Sequence, residues 1–215
     1  MQFGQLPYDV AHALGGAMLL CAFALLGQRR LEAMVTVLAV QGALLGLAAL
    51  WQGWVQGAPQ LYLTGVIAIA AKGVAIPVVL HRLLRAAPPA ARTEAAPVAA
   101  SLALAFALVA LALLVALPIT AGARALLRMD LAVALSLVLL ALLLMGTRRL
   151  ALSQVAGLMA LENGVVLAAV GVAGMPFVLE ISTAGLVLTM ALLAGVLARG
   201  MQGQDTALLD PHRGR

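Results

Sequence analysis

Cysteine occurs once in the 215 residues, aromatic residues make up 4%, and only 10% are charged. A single cysteine, Cys21, excludes an intrachain disulfide framework and a cysteine metal cluster, and its place in an apolar run reads as a small buried hydrophobe. Charge this scarce excludes an ordinary soluble domain, in which about a quarter of residues are charged. The chain also lacks a glycine-rich phosphate loop, a cysteine or histidine set at metal-ligand spacing, and a serine, histidine and aspartate combination for a hydrolase site. We therefore expect no catalytic residue, no metal and no cofactor, and no covalent chemistry by the chain alone.

What is present is apolar. Hydrophobic residues make up 64% of the chain and the mean hydropathy is +1.10, the signature of an all-α, polytopic membrane protein. No interhelical stretch is long enough to build a core outside the bilayer. Seven apolar stretches can be drawn, at 9–27, 33–54, 61–81, 98–117, 129–147, 150–172 and 177–198. The fourth and fifth are the least distinct, because the segment from Pro118 to Asp130 also reads as an interfacial stretch with snorkelling arginines. The start, MQFGQLPYDV, has no basic region before its acidic Asp9, so we expect the first span to be retained rather than cleaved.

A net charge of +5 would suggest nucleic acid as partner of a soluble protein, but here the arginines sit in short loops. Arg29, Arg30, Arg82, Arg85, Arg92, Arg148, Arg149, Arg199, Arg213 and Arg215 alternate with the spans so as to share one side, while Arg124 and Arg128 fall on the other. The positive-inside rule then places the N-terminus outside and the C-terminus in the cytoplasm, which requires an odd number of spans. Residues 1–84 hold three spans, 85–97 a Pro- and Ala-rich cytoplasmic linker expected to be flexible, 98–199 four spans, and 200–215 a cytoplasmic tail. Spans one to three and five to seven have equal orientation, the geometry of a parallel repeat bridged by one helix. Its sequence support is the Arg-Arg-Leu at Arg29 and Arg148 and the amide–glycine pairs Gln41-Gly42 and Asn163-Gly164.

Glu162 stands at the middle of the sixth span. An ionisable group at the bilayer centre costs about 2.5–3.5 kcal/mol to insert, so it usually faces protein or water and carries a function. The alternative is a protonated side chain that hydrogen-bonds a neighbouring helix. Ala156, Ala160, Gly164 and Ala168 recur every four residues, forming a ridge for a close helix neighbour, and Glu162 lies about 160° from it. Lys72 is at mid-depth in the third span, with Pro77 expected to kink the helix and free the carbonyl of Gly73. It is either a hydrated ion-path group or a structural partner for a carboxylate in this chain or a neighbour. Glu180, near the start of the last span, is either solvated at the outer interface or part of a proton exit or an interhelical contact. Gln41 and Asn163 are uncharged polar groups that carry a water chain or join helices.

The segments RRLEAMVTVLAVQGALL (Arg29–Leu45), AAKGVAIPVVL (Ala70–Leu80), LMALENGVVL (Leu158–Leu167) and MPFVLEISTAGLVLTMALLAGVLAR (Met175–Arg199) resemble the hydrogenase-4 component E family, membrane subunits of formate hydrogenlyase-like complexes. The C-terminal part of that family is similar to the K subunit of bacterial complex I and the C subunit of Mrp cation/proton antiporters. Leu186 departs from the family, whose members often carry an aspartate there. The resemblance implies that Glu162 and Lys72 belong to a proton or cation path. It implies a place in the bacterial inner membrane beside antiporter-like subunits, with a peripheral redox module on the cytoplasmic side. The expectation is thus a membrane-arm subunit of an ion-translocating redox complex, with Glu162, Lys72, Glu180, Gln41 and Asn163 on the path. Two alternatives stand beside it: a scaffold subunit without an ion path, and a free-standing permease for a small solute.

Overall fold

Long apolar runs satisfy their backbone N–H and C=O groups within lipid only by coiling into helices or closing a barrel. Here they coil: α1 (Leu6–Gly27), α2 (Leu31–Gln56), α3 (Pro59–Ile67) continuing through a π-helical segment (Ala68–Ala75) into α4 (Ile76–Ala86), α5 (Val98–Ile119), α6 (Ala125–Thr147) and α7 (Ala151–Gly171). The computed structural model describes residues 6–86, 92–120 and 125–171, with Gly185 and Thr189. Among these residues six helices are long and apolar enough to cross a membrane, the third being the continuous run Pro59–Arg85. The protein is all-helical and multi-pass. The expected seventh span lies outside the described residues except for Gly185 and Thr189, both helical, and Glu180 and the tail 200–215 also lie outside them.

Local chemistry accounts for the boundaries. Gly57 adopts φ +64°, the left-handed conformation that ends α2, and the Ala58 N–H donates to Gly53 O at 3.0 Å. Pro59 then opens α3 at a position where its missing N–H costs nothing. Pro118 sits in the last turn of α5, the Thr120 N–H donates to Ala116 O at 3.0 Å, and a new helix has begun by Ala125.

The third run meets Pro77 with a change of helical register. Over eight residues its backbone takes the π register, in which the Ile76 N–H reaches Ala71 O five residues back. In that register the carbonyl facing the missing N–H of Pro77 is that of Lys72, not Gly73. Single π turns inside α-helices are rare and cluster at functional positions, because each widens the helix and turns a side chain out of the ordinary sequence of faces.

The core is a square of α1, α2, α6 and α7, with the third run packed on α2 and α5 laid against α6 and α1. Met18, Leu38, Leu45, Leu137, Leu140 and Val166 fill it and are almost wholly buried. In α7, 67% of the spanning window is buried, against 17% in α5, so α7 runs through the centre and α5 along the rim. Phe23 and Phe106, with ring centroids 4.8 Å apart, fasten α5 to α1.

At the arginine-rich end the linker is not free over its described part, contrary to expectation. The Glu94 N–H donates to Arg29 O at 2.9 Å, and Arg30 and Thr93 form an antiparallel bridge. The Glu94 carboxylate caps α7, accepting from the Arg149 N–H, from the Leu150 N–H at 3.0 Å and from Ser153 Oγ at 2.6 Å. Arg148 reaches across to the end of α1, donating to Leu26 O at 2.9 Å and Gln28 O at 2.6 Å. Anion at a helix start and cation at a helix end each complement the macrodipole. Glu94 thus ties three loops together, reaching Arg29 through its main chain and the start of α7 through its carboxylate. We expect Glu94→Ala to cost about 2 kcal/mol, as the loss of a cap with charge-assisted hydrogen bonds.

The pH dependence of this clip has a definite sign. Burial acts to raise the Glu94 pKa, but the hydrogen bonds from Ser153, Arg149 and Leu150 and the charge of Arg148 outweigh it and hold the group below its ordinary 4.5. A lowered folded-state value means a contribution fully present above the unfolded value and lost as pH falls through the folded one. Thermal unfolding in detergent should therefore separate wild type from Glu94→Ala at pH 7 and bring them together under strong acid. A gap that persists unchanged in acid would show that the carboxylate is not what holds the clip.

Candidate functional site

Close approach of backbones comes first. On α2, Gly42 and Gly46 face the third run. A methyl group on Gly42 would lie 2.8 Å from Lys72 Cβ, and one on Gly46 would lie 2.8 Å from Gly65 O. Only hydrogen fits at such points, so small residues four apart let two membrane helices touch along their main chains. The same device works on the other side of the core. Gly157, Gly164 and Gly171, seven apart and hence on one stripe of α7, meet Met145, Leu137 with Val138, and Asp130 of α6. The expected ridge of Ala156, Ala160, Gly164 and Ala168 is largely buried, but these glycines mark the closest approach to α6.

With α7 held to α6 by that stripe, its opposite face turns Glu162 and Asn163 toward the π segment. Lys72, wholly buried, places Nζ 2.7 Å from Glu162 Oε1 and donates to Asn163 Oδ1 at 3.1 Å. Asn163 Nδ2 donates to Gln41 Oε1 at 3.3 Å, and Gln41 Nε2 donates to Met18 O at 3.3 Å. All donors therefore run one way, from the ammonium through two amides to the main chain of α1. Met18, Gln41, Lys72 and Glu162 each lie near the middle of their helices, so the chain crosses the bundle at one depth. Four of the five residues expected on the path meet here; the fifth, Glu180, lies outside the described residues.

Ionised groups this deep are costly unless paired and hydrogen-bonded. The Lys72 ammonium supplies that at Glu162 Oε1, and the Asn163 amide oxygen supplies it at the ammonium. Among the described residues, Glu162 Oε2 is buried without a hydrogen-bond partner, and so is the hydroxyl of Thr189. Gly185, one turn before Thr189, packs directly onto the Glu162 carboxyl group and leaves no room for a side chain there. Gly185 thus forms a wall of the site.

The chain is 31% identical over 186 residues to the uncharacterized protein Rv0085 of Mycobacterium tuberculosis, an alignment covering 85% of this chain and 84% of that one. It belongs to the same family. No protein-family pattern matches this member of the Rv0085 family, and no solved structure matches it.

A second polar group in this family member centres on Asp130, which the sequence places at the edge of the fifth span without marking it as a site residue. Asp130 belongs to α6 and is 8% exposed. Gln52 Nε2 donates to its Oδ2 at 3.3 Å, and Gln56 Nε2 donates both to Gln52 Oε1 at 3.1 Å and to Val170 O at 3.0 Å. The signal was available in part. Gln52 and Gln56 stand one turn apart at the end of α2, and Gly171 completes the seven-residue glycine stripe whose α6 partner is Asp130.

Proposed function

We propose that the protein is a membrane-arm subunit of a multi-subunit, ion-translocating redox complex of the kind suggested by its resemblance to the hydrogenase-4 component E family. In this reading it lies in a bacterial inner membrane with its arginine-rich end in the cytoplasm. Antiporter-like subunits flank it, and a peripheral redox module sits on the cytoplasmic side. One observation carries the reading: Lys72 and Glu162, 2.7 Å apart at mid-depth, continue into the oriented amides of Asn163 and Gln41. An acid and an amine in contact can exchange a proton with little motion. A field from a neighbouring redox centre then shifts the balance between the charged and the neutral pair. Glu162 Oε2, without a hydrogen-bond partner among the described residues, supports this reading over a purely structural tie, which gains most when every lone pair is satisfied.

The test is the assembled complex carrying Glu162→Gln, reconstituted in liposomes, with proton uptake measured against electron transfer. The expected result is full assembly with uptake at background. Unchanged coupling with intact assembly would remove Glu162 from any path and leave a scaffold subunit whose polar residues set helix order.

A further inference from the structure

Asp130 and its neighbours form a site at the end of the bundle opposite the arginine-rich loops. Its carboxylate is buried at the crossing of α6, α2 and α7, and Gly171 approaches it so closely that a methyl there would lie 3.2 Å from Asp130 Cβ. Gln52 holds one oxygen from α2, and Gln56 fixes Gln52 in turn by bonding both it and the end of α7. Beside them lies a cavity of about 10 Å³ lined by Ala11, Ala48, Gln52, Asp130, Leu167 and Gly171. That is about the volume one water needs, and Asp130 and Gln52 give it polar partners. His12, exposed on α1, is near enough to act on Asp130 electrostatically.

We propose that Asp130 is the group through which the buried Lys72–Glu162 pair exchanges protons with the aqueous side opposite the arginine-rich loops. The inference rests on the function proposed above and adds an entrance to it. Three features suit Asp130 to that task. A carboxylate with one oxygen held by an amide keeps the other available to a proton. A one-water cavity supplies the carrier, and the exposed imidazole of His12 supplies a nitrogen that can take up a proton and pass it on. From Asp130 inward the way leads past Leu167, one turn beyond Asn163 on α7. About two turns of α7, roughly 10–12 Å, separate the two polar sites. The layer of Ala48 and Leu167 between them is apolar, so each transfer requires brief wetting, and the layer blocks free leakage. No bond other than O–H and N–H is made or broken: a proton from bulk water reaches His12 or the cavity water, then Asp130, then the pair.

Two measurements on the full chain in oriented liposomes test this. A water-soluble carbodiimide with a membrane-impermeant amine should modify Asp130, read by peptide mass spectrometry, when added on the side opposite the arginines, and not when added on the arginine side. After a pH jump on that same opposite side, the infrared carboxyl band assigned to Glu162 by its loss in Glu162→Gln should respond about tenfold or more slowly in Asp130→Asn than in wild type. Asp130→Glu should restore the rate. Asparagine keeps an acceptor for Gln52, so the fold is retained in both variants. Absence of sided labelling, or equal rates in wild type and Asp130→Asn, overturns the proposal for Asp130 while leaving the central pair intact. A Glu162 band that is static in wild type overturns the proposed function itself, and the entrance with it.

Discussion

Lys72→Met is expected to destabilise the protein by about 3–5 kcal/mol, the cost of stranding a buried charge by removing its partner. Methionine matches the lysine stem in length, so the packing of the methylenes against α2 is retained and the loss isolates the ammonium. That ammonium holds Glu162 at 2.7 Å and Asn163 at 3.1 Å from a wholly buried position. Adding Glu162→Gln to Lys72→Met should recover most of the loss, since a neutral amide in the same place leaves no charge to compensate. Equilibrium unfolding in mixed micelles, run as a double-mutant cycle, measures the coupling directly. If Lys72→Met alone were as stable as wild type, the carboxyl group would be neutral in the native protein and the ion pair would drop out of the mechanism.

Gly46→Leu is expected to cost about 3 kcal/mol, at the upper end of the overpacking range, because the obstruction is main chain. A Cβ at that position would lie 2.8 Å from Gly65 O and 3.1 Å from Ile69 N, neither of which can swing aside as a side chain does. The helices must separate, and the separation carries the π segment and Lys72 away from Gln41 and Asn163. Gly16→Ala is the control: nothing lies within 4 Å of an added methyl in α1. There the exchange should be neutral or stabilising by about 0.5–1 kcal/mol, the ordinary helical preference for alanine over glycine. Thermal unfolding of the two variants side by side decides between a specific close approach and a general intolerance of added bulk.

Particular residues show how far the sequence could be read. Hydropathy and length were enough for the helices because lipid leaves the backbone so few alternatives. A Pro- and Ala-rich stretch has the composition of a loose tether, yet the described part of the linker around Thr93 and Glu94 is bonded to the rest of the chain. Its one glutamate, Glu94, finds the start of α7 some 55 residues later in the chain. At Pro77 the sequence predicts a carbonyl freed at Gly73, whereas the π register sets the carbonyl of Lys72 opposite the missing N–H. Asp130 was passed over because it stands beside Arg128 in a stretch that reads as surface; burial there depends on Gly171 coming close enough from another helix.

The depth of each polar group was legible from the chain alone, because a helix rises 1.5 Å per residue and the ends of each span are set by hydropathy. So was the gathering of most arginines at one end. Which of those groups meet was decided only by tertiary structure. Lys72 and Asn163 are 91 residues apart and Gln41 and Asn163 are 122 apart. Depth does not determine the rotation of a helix about its own axis. That rotation is set where glycines let main chains touch, at Gly42, Gly46 and Gly65 on one side of the core and at Gly157, Gly164 and Gly171 on the other.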